Sequence, residues 1–332
     1  MKLSKPAYYD SFRCLADACP DSCCRDWAVQ VDPDSAAYYR SLPGDLGDAL
    51  RAVMAQEDGD TILTLTSSGR CPMWREDGLC RIQAQLGDES LCHTCSQFPR
   101  LRHDYGDFAE LGLELSCPEA ARLILTQRAH WITETVPGGE APEYDTEAMA
   151  VLLRTRQEIV NFLFTFRNNP GKALAVLLLY GYQVQEELDG GEPAVLDADA
   201  LLRRGESLAQ PGDMASILDF FKNLELLTDR WQDRLSHPIG SAWTDAYLAL
   251  AIYFVNRYWL QAVSDYDLVC RVKLAVVSCL LIRHLGGDLQ QTAQLYSKEI
   301  ENDADNVEAI LDGAYTAPAF TDLQLLGLLL EE

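Results

Sequence analysis

The sequence lacks a long apolar run, an apolar segment near its first residue and an excess of basic side chains. Its longest apolar stretch, residues 246–255, is far shorter than the roughly 20 residues that span a bilayer, which argues against an integral membrane protein. Tyr8, Tyr9 and Asp10 lie where a signal peptide would carry its apolar segment. We therefore expect a soluble, cytoplasmic protein.

Basic residues are scarce. The chain has 51 acidic residues against 27 lysines and arginines, which gives a formal net charge of -24. A surface of this sign repels the phosphate backbone and argues against a nucleic-acid-binding function. It is typical of a solvated acidic surface, and it would also attract a cationic protein partner.

Cysteine, by contrast, is concentrated in one region. Nine of the 11 cysteines fall within residues 14–117, and these are Cys14, Cys19, Cys23, Cys24, Cys71, Cys80, Cys92, Cys95 and Cys117. In a chain without an export signal, clustered thiols are more often metal ligands or redox groups than halves of disulfides. The other two, Cys270 and Cys279, lie in apolar helical sequence and are expected to be small buried side chains.

The spacing of the nine cysteines leaves several kinds of site open. A structural zinc site usually has two close pairs of ligands, whereas only Cys92 and Cys95 form a CxxC pair here. An iron–sulfur cluster takes four thiolates at more variable spacing, so the pattern favours a cluster over zinc. One cluster with spare thiols, two metal sites, or disulfides with an odd thiol are all compatible with nine residues. His93 and His103 could also ligate, although exposed loop histidines are the ordinary alternative.

Turn and strand signals divide the chain near residue 125. Residues 1–125 predict an irregular, cysteine-rich metal-binding region with short β-hairpins, and residues 126–332 predict an all-α helical bundle. The expected fold class is therefore mainly α. Alternation and β-branched residues predict strands at 27–31 and 61–66, and a helix is expected over 34–42.

The dipeptide Asp77-Gly78 favours a tight turn between two short extended segments. Such a turn would bring Cys71 and Cys80 close together, although they are separated along the chain. The sequence therefore predicts a hairpin that presents two thiols to one site.

A helix is predicted after the last of the nine cysteines. Ser116 would be its N-cap and Glu119 the capping-box partner, with Pro118 tolerated in the first turn. The Pro- and Gly-rich stretch 136–142 is the best linker candidate. Helical periodicity begins near residue 145 and continues over segments 172–186, 195–208, 213–234, 241–263, 266–285, 288–302, 304–315 and 319–331.

The N-terminal motifs form a recognisable set. They are Phe12-x-Cys14, Cys19, Cys23-Cys24-x-Asp26-Trp27, Cys71-Pro72, Asp77-Gly78-Leu79-Cys80-Arg81-Ile82-Gln83, Thr94-Cys95-x-x-Phe98-Pro99-Arg100 and Leu115-Ser116-Cys117-Pro118-Glu119-Ala120-Ala121-Arg122. This set resembles the flagellin lysine-N-methylase family and, more distantly, bacterial families of zinc- or iron-chelating domains. It spans roughly the first 125 residues, and the helical remainder adds no motif.

The resemblance implies transfer of methyl groups from S-adenosylmethionine to lysine ε-amines of flagellin or of another lysine-bearing protein. It also implies an oxygen-sensitive 4Fe-4S cluster held by the N-terminal cysteines, with Zn2+ as the alternative metal. The sequence has no GxGxG loop after a strand. It also has no CxxxCxxC motif, because Asp26 occupies the position that would complete it.

A lysine amine must be neutral to attack a methyl group, so a methyltransferase needs a base or a desolvated pocket. Trp27 and Arg100 could hold the sulfonium and the carboxylate of S-adenosylmethionine, although Trp27 could equally be a core residue. Four carboxylates are candidate bases, and each could instead be an ordinary surface or capping group. These are Asp26, Asp32, Glu114 and Glu119.

Two other functions fit the same residues. The first is a non-enzymatic iron–sulfur or zinc module, such as a cluster carrier, an oxygen sensor or a zinc-stapled interaction protein. The second is a helical scaffold whose N-terminal region holds a structural metal. Neither needs a cofactor pocket, which agrees with the missing Gly-rich loop.

Overall fold

The computed structural model describes residues 1–57, 59–127, 130–166 and 169–331. Its first part contains two small sheets and several short helices, and the rest is mainly helical. The strands in these ranges are β1 (Lys2–Pro6), β2 (Val29–Val31), β3 (Met54–Glu57), β4 (Asp60–Leu63), β5 (Arg100–Asp104), β6 (Phe108–Leu113) and β7 (Trp131–Thr135). The helices of the first part are α1 (Pro33–Ser41), α2 (Gly44–Val53), α3 (Arg81–Leu86), α4 (His93–Gln97) and α5 (Pro118–Thr126).

The smaller sheet has the antiparallel strand order β2-β4-β3. Val29 and Val31 are buried on it while Gln30 between them is exposed, which is the alternation that predicted a strand. The strand predicted at 61–66 is also present, but it ends at Leu63. The predicted helix is confirmed as α1, because the carboxylate of Asp32 caps it by accepting the backbone N–H of Ser35.

The predicted turn at Asp77-Gly78 is confirmed. Gly78 has a φ of 82°, and the backbone N–H of Arg75 donates to the carbonyl of Leu79 across the turn at 2.9 Å. Trp74 and Cys80 form an isolated antiparallel bridge. The hairpin is therefore too short to form regular strands.

The larger sheet joins distant parts of the chain in the order β5-β6-β1-β7. Strand β1 is parallel to β6 and antiparallel to β7. Strand β7 lies beyond residue 125, where the sequence predicts only helices, so that expectation is wrong at residues 131–135. Its Trp-Ile-Thr-Glu-Thr sequence suits a strand, and β1 supplies the hydrogen-bonding partner that makes one stable. The domain boundary near residue 125 stays a prediction.

The predicted capping box before α5 is wrong. The helix begins at Pro118, and its N-cap residue is Cys117. The hydroxyl of Ser116 instead donates to the buried carboxylate of Glu114 at 2.9 Å, while Glu119 pairs with Arg122 inside the helix. A buried carboxylate needs a donor, and this need outweighs the capping preference of serine.

The helical part is built around one large apolar core. Its helices are α6 (Thr146–Thr165), α7 (Pro170–Leu188), α8 (Ala198–Leu208), α9 (Met214–Lys222), α10 (Asp229–Ser236), α11 (Ala246–Tyr258), α12 (Val269–Leu285), α13 (Leu289–Tyr296), α14 (Ala304–Thr316) and α15 (Asp322–Leu330). Most match the periodic segments of the sequence. None of the helices in the described ranges is long and apolar enough to cross a membrane.

The segment 213–234, predicted as one helix, is two helices with a break after α9. The buried carboxylate of Glu299 lies at this break and accepts the backbone N–H groups of Leu227, at 2.9 Å, and Thr228, at 3.3 Å. The hydroxyl of Thr228 caps α10 through the N–H of Trp231. Because the buried carboxylate and this cap satisfy backbone groups that a continuous helix would have paired, the chain can turn here.

Candidate metal centre

The cysteines near the N-terminus are free thiols that come from separate segments of the first part. Cys80, Cys92 and Cys117 each occupy the N-cap position of a helix, before α3, α4 and α5 respectively. Burial raises the pKa of Cys117 to about 11, although backbone N–H groups of the helix oppose this by stabilising the thiolate. Such N–H groups favour an ionised sulfur, which is the form that binds metals.

Electrostatic interactions between the thiols define a first group around the loop 14–24. Burial raises the pKa of Cys19, and the nearby Cys14 adds to this shift. Cys14 and Cys19 are also among the groups that raise the pKa of Cys117, and Cys14 and Cys117 contribute to that of Cys23. We call the four residues Cys14, Cys19, Cys23 and Cys117 the loop group.

A second group surrounds the hairpin and α4. Burial raises the pKa of Cys71 to about 11, and Cys24, Cys80 and Cys92 contribute to the shift. Cys24 and Cys92 also raise the pKa of Cys80, and the backbone of Cys24 accepts the N–H of Cys71 at 2.7 Å. We call Cys24, Cys71, Cys80, Cys92 and Cys95 the hairpin group.

Two pairs of thiols are close enough to hydrogen-bond. Cys23 donates to Cys24, which lowers the pKa of Cys24 to about 7 and raises that of Cys23. Cys95 donates to Cys92, which likewise lowers the pKa of Cys92 to about 7 and raises that of Cys95. One sulfur of each pair therefore has the partly ionised character of a metal ligand near neutral pH. Cys23 and Cys24 also join the two groups, since they are adjacent in the chain.

The donor chemistry of the two groups suits an iron–sulfur cluster and also suits Zn2+. In the residues that the structure describes, however, no three His, Cys, Asp or Glu side chains are arranged to hold a metal ion. The ligand set therefore stays a prediction, with all nine thiols as candidates.

An ion-pair clamp ties the loop group to the helical part. Lys298, in the π-helical turn Ser297–Glu301, places Nζ 3.3 Å from Oδ1 of Asp21 and 3.2 Å from Oδ2 of Asp26. Gln294 donates to the other oxygen of Asp21 at 2.9 Å and to the carbonyl of Ser116 at 2.7 Å. The loop that carries Cys14, Cys19, Cys23 and Cys24 is thus held against the helical part by two side chains four residues apart, Gln294 and Lys298.

Three of the four candidate bases are held by ion pairs or by backbone N–H groups. Asp26 belongs to this clamp. Asp32 caps α1 and also accepts the backbone N–H of His93 at 2.8 Å, which fixes the start of α4. Glu119 forms an ion pair with Arg122 at 2.7 Å.

Glu114 is the remaining candidate, and it lies in a buried polar network. It is 8% exposed, and burial raises its pKa, which makes the carboxylate a stronger base. The positive charge of Arg257 lowers the pKa of Glu114, and the negative charge of Glu301 raises it. Arg257 and Glu301 pair at 3.1 Å, and the hydroxyl of Tyr258 donates to Glu301 at 2.9 Å. The sequence offers one hint of this network, because Arg257 is a charged residue within an otherwise apolar helical segment.

The other predicted site residues are dispersed. The indole N–H of Trp27 donates to the carbonyl of Cys23 at 2.7 Å, and Arg100 lies 5.2 Å above the ring of Phe12. His93 is exposed at the start of α4, whereas His103 is on β5 and faces away into a cavity beside α11. Cys270 and Cys279 are buried, as predicted.

Comparison with known proteins finds relatives named FliU and lysine-N-methylase. No family model and no solved structure matches it. It is 35% identical over 136 residues to the flagellar biosynthetic protein FliU of Salmonella muenchen, covering 37% of this chain and 76% of FliU. It is 34% identical over 134 residues to a lysine-N-methylase of Salmonella choleraesuis and over 136 residues to one of Salmonella typhimurium.

These similarities make the chain a relative of a flagellar biosynthetic protein and of lysine-N-methylases. The chain belongs to the FliU and lysine-N-methylase family, because most of FliU is covered at substantial identity. The match spans 32% of the length of each of the two lysine-N-methylases, about a third. The resemblance seen in the cysteine motifs is thereby confirmed at the level of the family.

Proposed function

We propose that the protein is a lysine N-methyltransferase that takes its methyl group from S-adenosylmethionine and acts on flagellin or another lysine-bearing protein. The observation that carries this proposal is the similarity to lysine-N-methylases. The acidic character of the chain also supports it, since a net charge of -24 attracts lysine-bearing substrates.

We further propose that the N-terminal cysteines hold a 4Fe-4S cluster, with Zn2+ as the alternative metal. The loop group and the hairpin group would supply the thiolate ligands. When bound, such a cluster supplies a redox-active iron centre tuned by the surrounding hydrogen bonds. The clamp by Lys298 would keep the loop group in place beside the hairpin group.

The chemistry of methyl transfer assigns a role to Glu114. The lysine nitrogen forms a bond to the methyl carbon while the carbon–sulfur bond breaks, and S-adenosylhomocysteine leaves. The amine must first lose its proton, and a buried carboxylate with a raised pKa is suited to accept it. Glu114→Gln should therefore lower kcat by about 100-fold while leaving metal content unchanged.

The test is methylation by anaerobically purified, cluster-loaded protein. It would be incubated with S-adenosylmethionine and flagellin, and in parallel with other lysine-bearing proteins of the same cell. We expect methyl-lysine by mass spectrometry on at least one of them. Complete inactivity on all of them would overturn the proposal.

A second function also fits the nine clustered thiols, which can hold a metal without any pocket for a methyl donor. The chain would then be a non-enzymatic iron–sulfur or zinc module of the same family. Binding of S-adenosylmethionine separates the two, because a module of this kind has no need to bind it.

A further inference from the structure

The turn between α13 and α14 is a short π-helix, Ser297–Glu301, whose five side chains are all buried. Its backbone has the hydrogen bond that defines this helix type, from the N–H of Asn302 to the carbonyl of Ser297 at 3.2 Å. The charged residues of the turn are Lys298, Glu299 and Glu301, which are 6%, 0% and 9% exposed. A buried charge is costly unless it is paired, so each of the three requires a partner in the surrounding protein.

Lys298 has its partners in the cysteine loop. Its Nζ atom lies 3.3 Å from Oδ1 of Asp21 and 3.2 Å from Oδ2 of Asp26. Asp21 lies between Cys19 and Cys23 in the chain, and the thiol of Cys19 donates to the backbone carbonyl of Asp21 at 3.3 Å. Metal binding by these thiols would therefore fix the backbone on both sides of a carboxylate that Lys298 contacts.

The two glutamates of the turn have their partners in the interior of the helical part. Glu299 accepts the backbone N–H groups of Leu227, at 2.9 Å, and Thr228, at 3.3 Å, in the break between α9 and α10. Glu301 pairs with Arg257 at 3.1 Å in the buried polar network. The turn thus joins the cysteine loop to two interior sites that are distant from that loop in the chain.

We propose that Lys298 is a positioning residue that transmits the metal state of the cysteine loop to the interior of the helical part. Protein interiors are close-packed, so Lys298 cannot follow a displaced loop unless the rest of the turn moves with it. With metal bound, the loop and the turn are held, and Glu299 keeps its two backbone hydrogen bonds. Without metal the loop moves more freely, and these bonds open more often. This inference rests on the metal centre of the proposed function and adds a path by which that centre regulates the buried network.

The test is hydrogen–deuterium exchange of the backbone amides of residues 225–228, measured by mass spectrometry. The protein would be reconstituted anaerobically with iron and sulfide and compared with the same protein after treatment with a chelator. In the wild type, metal removal should speed exchange of this segment by about tenfold, a typical size for coupling between two sites. In Lys298→Met the same removal should change the rate by less than about twofold, whereas Lys298→Arg, which keeps the charge, should retain most of the response.

The matched control is Lys273→Met, which removes a buried lysine from another ion pair of the helical part. Lys273 is 5% exposed, pairs with Asp322 at 2.9 Å and donates to the carbonyl of Ala314 at 2.8 Å, and both partners lie outside the turn. This variant should keep the full response to metal removal, although it loses a comparable ion pair. Each variant is first loaded to the metal content of the wild type. If Lys298→Met cannot be loaded, Asp21→Asn weakens the same contact from the side of the loop and should also reduce the response.

The outcomes separate this inference from the function beneath it. A response in the wild type and in Lys273→Met that is lost in Lys298→Met supports it. If the loaded wild type shows no change at residues 225–228, or if Lys298→Met responds like the wild type, the path is wrong while the metal centre and the methyltransferase proposal stand. If the wild type takes up no metal, the proposed centre and this inference fall together.

Discussion

Replacement of Lys298 by methionine tests how the cysteine region is attached to the helical part. Lys298 is 6% exposed and pairs with both Asp21 and Asp26, whose side chains are 13% and 21% exposed. Lys298→Met leaves Asp21 without its cation, whereas Asp26 keeps Arg25, whose Nε lies 3.1 Å from Oδ2 of Asp26. Breaking a buried ion pair costs about 3–5 kcal/mol, and the partial exposure of both carboxylates favours the lower end, about 3 kcal/mol.

Urea unfolding of wild type and variant measures this loss. The matched control is Lys222→Met, because Lys222 pairs with Asp219 at 3.5 Å on the surface, with 42% and 71% of the side chains exposed. The control should change the free energy of unfolding by less than about 0.5 kcal/mol. Adding Asp21→Asn to Lys298→Met should recover part of the loss, because it removes the carboxylate charge that Lys298 no longer neutralises. A loss for Lys298→Met no larger than that of the control would refute the clamp.

Three further predictions concern an ion pair, a capping carboxylate and the thiols. Glu110→Gln leaves Arg156 buried without its carboxylate and should cost about 3–5 kcal/mol in urea unfolding; a cost below about 1 kcal/mol would contradict a buried pair. Backbone hydrogen bonds lower the pKa of Asp32 to about 2 from 3.8, so its contribution to stability is full above pH 3.8 and is lost as pH falls through about 2. Asp32→Ala should cost about 1 kcal/mol at neutral pH and flatten the stability profile between these values, and an unchanged profile would argue against it. Cys92→Ala should abolish or sharply reduce metal content, whereas Cys279→Ala, in the apolar core, should leave metal content intact; equal metal content in both would remove Cys92 from the ligands.

Local signals predicted many of the elements correctly. The helix expected over 34–42 is α1, and the Asp-Gly pair predicted the turn before Cys80, because short helices and tight turns are decided within a few residues. The apolar period of 3.6 residues predicted most helices of the second part, where each helix buries one face in a common core.

What the sequence did not reveal depends on partners distant in the chain. Strand β7 needs β1 as its partner, and the break after α9 depends on the carboxylate of Glu299, so the local sequence alone decides neither. The same holds for the buried ion pair of Glu110 and Arg156, which come from a strand and a helix. The cysteines predict a metal site, and their division into two groups follows from how the hairpin, α4 and α5 pack together.

The most direct test of a cluster-dependent methyltransferase is the iron, sulfide and zinc content of the anaerobically purified protein, with its visible absorption spectrum. We expect about four irons and four sulfides per chain and a colour that bleaches in air. One zinc per chain, no sulfide and no colour would contradict the cluster and leave the N-terminal thiols as a structural metal site.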